Sequence, residues 1–123
     1  MIRIERIRAD IEAIARCTET PGEGATRPTF SGAWGEAIGF VKQQAESLGC
    51  RWESDAAGNC HARLGNVDWN EPAWLCGSHL DTVPHGGNYD GVAGVVVALE
   101  ILRSAKENGV AVPLELIVFA EEE

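Results

Sequence analysis

Ala73-Trp74-Leu75-Cys76-Gly77-Ser78 is a short, nearly continuous apolar run, the pattern of a buried strand. A loop follows from His79 to Tyr89, with Pro84 and the Gly86-Gly87 pair inside it. Residues 91–108 are apolar almost all round (Val92, Val95, Val96, Leu99, Ile101, Leu102), and Asn108-Gly109 supplies a stop. Pro113 then leads into a second apolar run, Leu114–Ala120. Strand, loop, helix, strand is a βαβ unit, whose two strands run parallel. The fold class is therefore α/β.

Before this unit, Ile4, Ile7, Ile11 and Ile14 make one apolar stripe and predict a helix over residues 3–16. Residues 17–31 carry Pro21, Gly22, Gly24 and Pro28 and read as a long loop. Ser31 is placed to cap a second helix over 32–48, in which Trp34, Ile38, Val41, Ala45 and Leu48 recur at helical spacing before Gly49. Cys50–Ala56 and Asn59–Leu64 flank Ala57-Gly58 as a hairpin, expected at one edge of the sheet. Gly65–Pro72 reads as a polar loop.

The chain's 123 residues fit one domain, and 45% apolar with 24% charged residues is a globular balance. A formal charge of −9 argues against nucleic acid or an anionic membrane as partner, since phosphate binding needs a basic face. No apolar run approaches the roughly 20 residues of a membrane span. The first sixteen residues mix Arg and Glu with isoleucine, unlike a signal peptide. Cysteines 17, 50, 60 and 76 contain no Cys-x-x-Cys pair, so reduced thiols in a cytoplasmic protein are expected. The sequence stops just after an apolar run, which suggests part of a longer protein.

Parallel strands of one sheet end on the same rim, and open α/β sheets bind ligands there. His79 and Asp81 follow the first strand, Glu121-Glu122-Glu123 follow the second, and Asp90 precedes the helix that returns to that rim. Two carboxylates about 4 Å apart repel by roughly 4 kcal/mol at an effective dielectric near 20. A divalent cation reverses that sign, and one imidazole with several carboxylates suits zinc, manganese or cobalt. Asp81, two residues on, shares His79's face in extended backbone and can orient the imidazole or a neighbouring group. A carboxylate beside the metal can take a proton from water, so Glu122 and Glu123 can divide ligation and base chemistry. Taken singly, a loop histidine, an Asp helix cap and a solvated Glu tail are the commoner explanations. Together they would need three accidents on one rim. His61 and His85 have no placement that makes them ligands. Phosphate-loop and serine-hydrolase motifs fail: Tyr89 breaks a G-x-G-x-x-G register, and Ser78 lacks a G-x-S-x-G elbow.

Gly77-Ser78-His79-Leu80-Asp81-Thr82-Val83, then Gly86-Gly87-Asn88-Tyr89-Asp90-Gly91, then the run ending in three glutamates resemble the two-metal aminoacylase/carboxypeptidase family of zinc hydrolases. Within it they look most like the branch of allantoate amidohydrolase, N-carbamoyl-L-amino-acid hydrolase and β-alanine synthase. Gly24-Ala25-Thr26-Arg27 and Asp55-Ala56-Ala57-Gly58-Asn59 are also similar to that branch.

The resemblance implies a three-layer α/β/α sheet with mainly parallel strands and an antiparallel edge hairpin. It makes residues 1–123 the N-terminal part of a zinc-exopeptidase-like catalytic domain, without its dimerisation domain and C-terminal part. His79 would bind one metal, Asp90 would bridge two, and Glu123 would bind the other. Glu122 would be the general base, Asp81 would orient the site, and Glu121 would have no direct role. The cofactors would be two divalent ions, zinc by default, with manganese, cobalt or nickel possible. A water activated between them would attack a non-peptide C–N bond of a carboxylated small molecule, an N-carbamoyl amino acid or allantoate-like ureide. Two further histidine ligands of the family lie in its later part, so this chain alone is expected to be inactive. The full protein is expected to be a homodimer. The alternatives are an aminopeptidase or aminoacylase of the same fold, or a non-catalytic fragment.

Overall fold

The computed structural model describes residues 1–65 and 68–123, so the expected Gly65–Pro72 loop lies partly outside the described residues. The elements are α1 (Ile4–Ala15), α2 (Gly32–Ser47), β1 (Arg51–Ser54), β2 (Cys60–Arg63), β3 (Trp74–His79), α3 (Val92–Glu107) and β4 (Leu114–Phe119). Ser31 caps α2, its hydroxyl accepting from the Trp34 N–H at 3.2 Å.

The sheet order is β1-β2-β4-β3. β3 and β4 pair in parallel, from Trp74 opposite Leu114 to His79 opposite Phe119. β1–β2 and β2–β4 pair antiparallel. Three strands thus share one direction and β2 alone opposes them, but only one of the three bonded pairings is parallel. The expected dominance of parallel strands holds for direction and not for pairing. The hairpin inserts β2 between the others and so turns two ladders antiparallel.

One core joins all three helices to one sheet face. Ile14, Ala37, Val41, Ala45, Val95, Val96, Leu99 and Leu102 meet Ala62, Leu116 and Val118 there. Side chains alternate across a strand, so Glu115, Ile117 and Phe119 point to the other face. No helix among the described residues covers that face, where Leu75 is 62% and Phe119 45% exposed. The described residues therefore supply two layers of the three expected.

Burial differs in detail from the apolar stripes. Ile4 is 61% exposed and only Ile14 of its stripe is fully buried, because α1 rests on α3 through ion pairs instead. Asp10, 6% exposed, accepts from Arg103 Nη1 at 2.5 Å, and Glu100, fully buried, accepts from the Arg3 N–H at 2.8 Å and Arg6 Nη2 at 2.6 Å. α2 buries the small residues Ala33, Ala37 and Ala45 with Val41, while Trp34 and Ile38 flank the core.

Two contacts bring β3 to its working place. Gly77 has no room for a side chain, since a Cβ would lie 1.8 Å from the Ile117 carbonyl oxygen of β4. Arg27 is fully buried without a carboxylate partner. Its guanidinium donates to the carbonyls of Cys17 (2.9 Å), Ile14 (3.0 Å) and Leu80 (3.2 Å). It thereby ties the end of α1, the negative end of its dipole, to the residue after β3. Burial pushes its pKa down.

Candidate metal centre

His79 is the last residue of β3 and β4 ends at Phe119 directly opposite it, so the two exits share a rim. The chain then delivers the acidic groups to the imidazole. Ligand atoms of His79, Asp90 and Glu123 all lie within 4.8 Å of one another. His79 Nε2 is 3.3 Å from Glu122 Oε2 and 3.6 Å from Asp90 Oδ2. The imidazole is 6% exposed, whereas the Asp90 and Glu122 side chains are 69% and 53% exposed. A buried nitrogen thus faces carboxylates that reach in from solvent.

The ring is oriented from behind. His79 Nδ1 donates to the Asp81 backbone carbonyl at 2.9 Å, which leaves Nε2 free toward the acids. The Asp81 carboxylate stands farther off, with Oδ1 3.5 Å from Nδ1. Its Oδ2 accepts the Glu123 backbone N–H at 2.9 Å. Asp81 therefore orients both the imidazole and the acidic exit, through different atoms. Oδ1 is buried with no hydrogen-bond partner.

Asp90 does not cap α3. The N-cap is Gly91, at φ 67°, with no side-chain cap. A Cβ there would sit 2.6 Å from His79 Nε2 and 2.5 Å from its carbonyl oxygen. Gly91 alone lets the helix start against the imidazole, and it turns the Asp90 carboxylate away from the helix and onto the site.

Carboxylates packed this closely carry an electrostatic load. A hydrogen bond with the Asp90 carboxyl raises the Glu123 pKa above the usual carboxylate range, with partial desolvation and the Asp90 and Glu122 charges adding to it and His79 opposing it. One imidazole nitrogen and two carboxylate oxygens converging on one point suit a divalent cation, which would take the place of a shared proton.

Glu121, at φ 57°, is not one of the three converging ligands, although it lines the same depression as Asp81 and Glu123. His61 is elsewhere: its ring nitrogens lie 2.6 Å from Glu115 Oε1 and 3.3 Å from Asp55 Oδ2. His85, at φ 53°, donates through Nδ1 to the Glu23 carbonyl at 2.7 Å. Neither joins the cluster. The four cysteines are free thiols. No helix among the described residues is long and apolar enough to cross a membrane. Gly91, Arg27 and Asn59 stand in the motifs quoted from the sequence without a role assigned to them, and Thr29 carried no signal of its own.

No family model matches the chain. The chain is 32% identical over its whole length to the N-carbamoyl-L-amino acid amidohydrolase of Geobacillus stearothermophilus, covering 31% of that protein. It is 36% identical over 91% of its length to allantoate deiminase 2 of Glycine max, covering 25% of it. A hydantoinase/carbamoylase family amidase from Burkholderia ambifaria superposes with a TM-score of 0.91 at 33% identity, over 99% of this chain and 31% of that one. A Bacteroides vulgatus protein described as a zinc-dependent exopeptidase shares the fold, with a TM-score of 0.74 at 19% identity, over 99% of this chain and 48% of that one. The chain thus spans about a third or less of the curated relatives it matches. With sequence and backbone agreeing along nearly all its residues, the chain is a homologue of the N-carbamoyl-L-amino-acid amidohydrolases, allantoate amidohydrolases and ureidoglycolate hydrolases, matching a segment of each.

Proposed function

We propose that the chain is the N-terminal part of the catalytic domain of a metal-dependent amidohydrolase acting on N-carbamoyl amino acids or allantoate-like ureides. The observation that carries this reading is the convergence of His79, Asp90 and Glu123 ligand atoms within 4.8 Å on the rim shared by β3 and β4. The names and extents of the relatives support the substrate class.

In this reading His79, Asp90 and Glu123 would hold divalent metal, Asp90 being the ligand two ions would share, with zinc the default over manganese, cobalt or nickel. When bound, the metal polarises the substrate carbonyl and acidifies water. Glu122 is the general base. Its carboxylate stands 3.3 Å from His79 Nε2, beside the nitrogen that would hold the metal, where it would take a proton from an attacking water and pass it to the leaving nitrogen. Asp81 keeps the His79 N–H directed rearward and Glu123 in place. The cationic groups that would hold a substrate carboxylate, the further ligands and a homodimer interface belong to other parts of the protein. A cytoplasmic location accords with the free thiols.

The test is hydrolysis by the longer protein of N-carbamoyl amino acids, allantoate and dipeptides after reloading with zinc, manganese or cobalt. Turnover of a carbamoyl or ureido substrate is expected. Turnover of dipeptides alone would move the protein to the aminopeptidase alternative, and turnover of none would remove the enzymatic reading.

A further inference from the structure

Ala120, Glu121 and Glu123 lie beyond the last pairing of β4, so their N–H groups have no ladder partner. Each is nonetheless taken by a side-chain oxygen from a different segment. Ala120 N–H donates to Asn59 Oδ1 at 2.8 Å, Glu121 N–H to Thr29 Oγ1 at 3.1 Å, and Glu123 N–H to Asp81 Oδ2 at 2.9 Å. The captured stretch includes Glu121 at φ 57°, a left-handed turn that a glutamate adopts only when held. Glu122 sits between two held residues.

The two outer anchors are themselves fixed. Asn59 Nδ2 donates to Asp55 Oδ2 at 2.9 Å, which sets the amide so that its oxygen faces Ala120. Asp55 Oδ1 accepts the N–H groups of Ala57 (2.9 Å) and Asn59 (3.0 Å), closing the hairpin turn. His61 links Asp55 to Glu115 of β4, and Arg63 Nε bonds the same Glu115 at 2.5 Å. The turn is therefore braced on the strand whose exit it holds. Thr29 precedes Phe30, and the Phe30 ring lies over Gly58, where a Cβ would come 2.7 Å from it. The two anchors thus hold successive residues, Ala120 and Glu121.

We infer that Asn59 and Thr29 are positioning residues, which hold Glu122 and Glu123 at the metal centre by capturing the main chain of the β4 exit. This rests on the proposed metal-binding reading. Facing Asp90, the acidic residues repel and would otherwise swing to solvent. Held from the main-chain side, their carboxylates meet a cation already arranged.

The test uses the longer protein, its Thr29→Val, Thr29→Ser and Asn59→Ala variants, amide hydrogen exchange without metal, and cobalt(II) titration followed by visible absorption. Thr29→Val keeps the shape and removes only the acceptor. It is expected to speed exchange at Glu121, weaken cobalt binding by about tenfold or more and alter the absorption band, while Thr29→Ser restores all three. Asn59→Ala should do the same through Ala120. Faster exchange with unchanged cobalt affinity and spectrum would overturn the inference, leaving a loop tether. Exchange at Ala120 and Glu121 as fast in the parent as in the variants would overturn it as well. A longer parent protein that binds no cobalt would instead overturn the metal reading, and the inference with it.

Discussion

Asp81 Oδ2 holds the backbone N–H of Glu123 at 2.9 Å, joining the exits of two parallel strands 42 residues apart in sequence. Asp81→Asn keeps the volume but can present an amide N–H to Glu123 or to the imidazole. Metal affinity is expected to fall by about 10- to 100-fold, as for other partners behind metal ligands. Calorimetric zinc titration measures it, and an unchanged affinity would count against the role given to Asp81.

Ligand and base should separate. His79→Ala and Asp90→Ala are each expected to weaken zinc binding by more than about 100-fold. Glu122→Gln should leave binding within a few-fold while lowering kcat of the longer protein by about 10²- to 10⁴-fold. A Glu122→Gln variant with full kcat would place the base elsewhere.

Gly91→Ala tests the contact against the Nε2 side of the imidazole. A methyl group there meets His79 Nε2 at 2.6 Å, on a backbone with φ 67°. The left-handed conformation itself costs about 1–2 kcal/mol with a Cβ. The expected result is a folded chain by circular dichroism with a modestly lower Tm and zinc affinity reduced by more than about tenfold, since the ring must move. Wild-type zinc affinity would refute the placement of the ring.

Arg27→Met removes the guanidinium donors to three carbonyls, of which Ile14's also accepts the Arg16 and Cys17 N–H groups. Leaving the Cys17 and Leu80 carbonyls without that donor should cost about 2–6 kcal/mol in urea unfolding. Arg27→Lys should recover only part of this, because a single ammonium cannot span three carbonyls in the way the guanidinium fork does. A loss below 1 kcal/mol for Arg27→Met would show that water replaces the fork.

Asp55 sets a pH dependence. The Asn59 side chain above all, with His61 and the Ala57 and Asn59 N–H groups, lowers its pKa from 3.8 to about 2, against desolvation, which acts the other way. A depressed carboxyl stabilises the fold above its unfolded pKa, and that contribution is lost as pH falls from about 4 through about 2. Asp55→Asn should therefore flatten the fall of Tm over that window. In Asn59→Ala, the Asp55 carboxyl followed by NMR should titrate nearer 3.8. An Asp55 resonance titrating at its ordinary value in the parent chain would exclude the bracing of the turn.

The βαβ unit was legible from residue order, because a strand, a buried helix and a second strand in succession have one favoured parallel arrangement. That order alone placed His79, Asp90 and the closing glutamates on one rim, and the spacing of His79 and Asp81 put the orienting residue beside the ligand. Local pattern did not reveal what depends on distant partners. Asn59 read as the start of a hairpin strand and Thr29 as part of a long loop, and their oxygens gained a role only when the β4 exit came within hydrogen-bond reach. Arg27 read as part of a surface loop, yet the end of α1 and the loop after β3 enclose it with carbonyls alone. The position of β2 between β1 and β4 likewise came from tertiary pairing, since a hairpin fixes its own two strands and leaves its neighbours open. Sequence determined which groups could reach a common rim. The folded chain decided which atoms face one another there, because direction, register and the space for a glycine are properties of several segments at once.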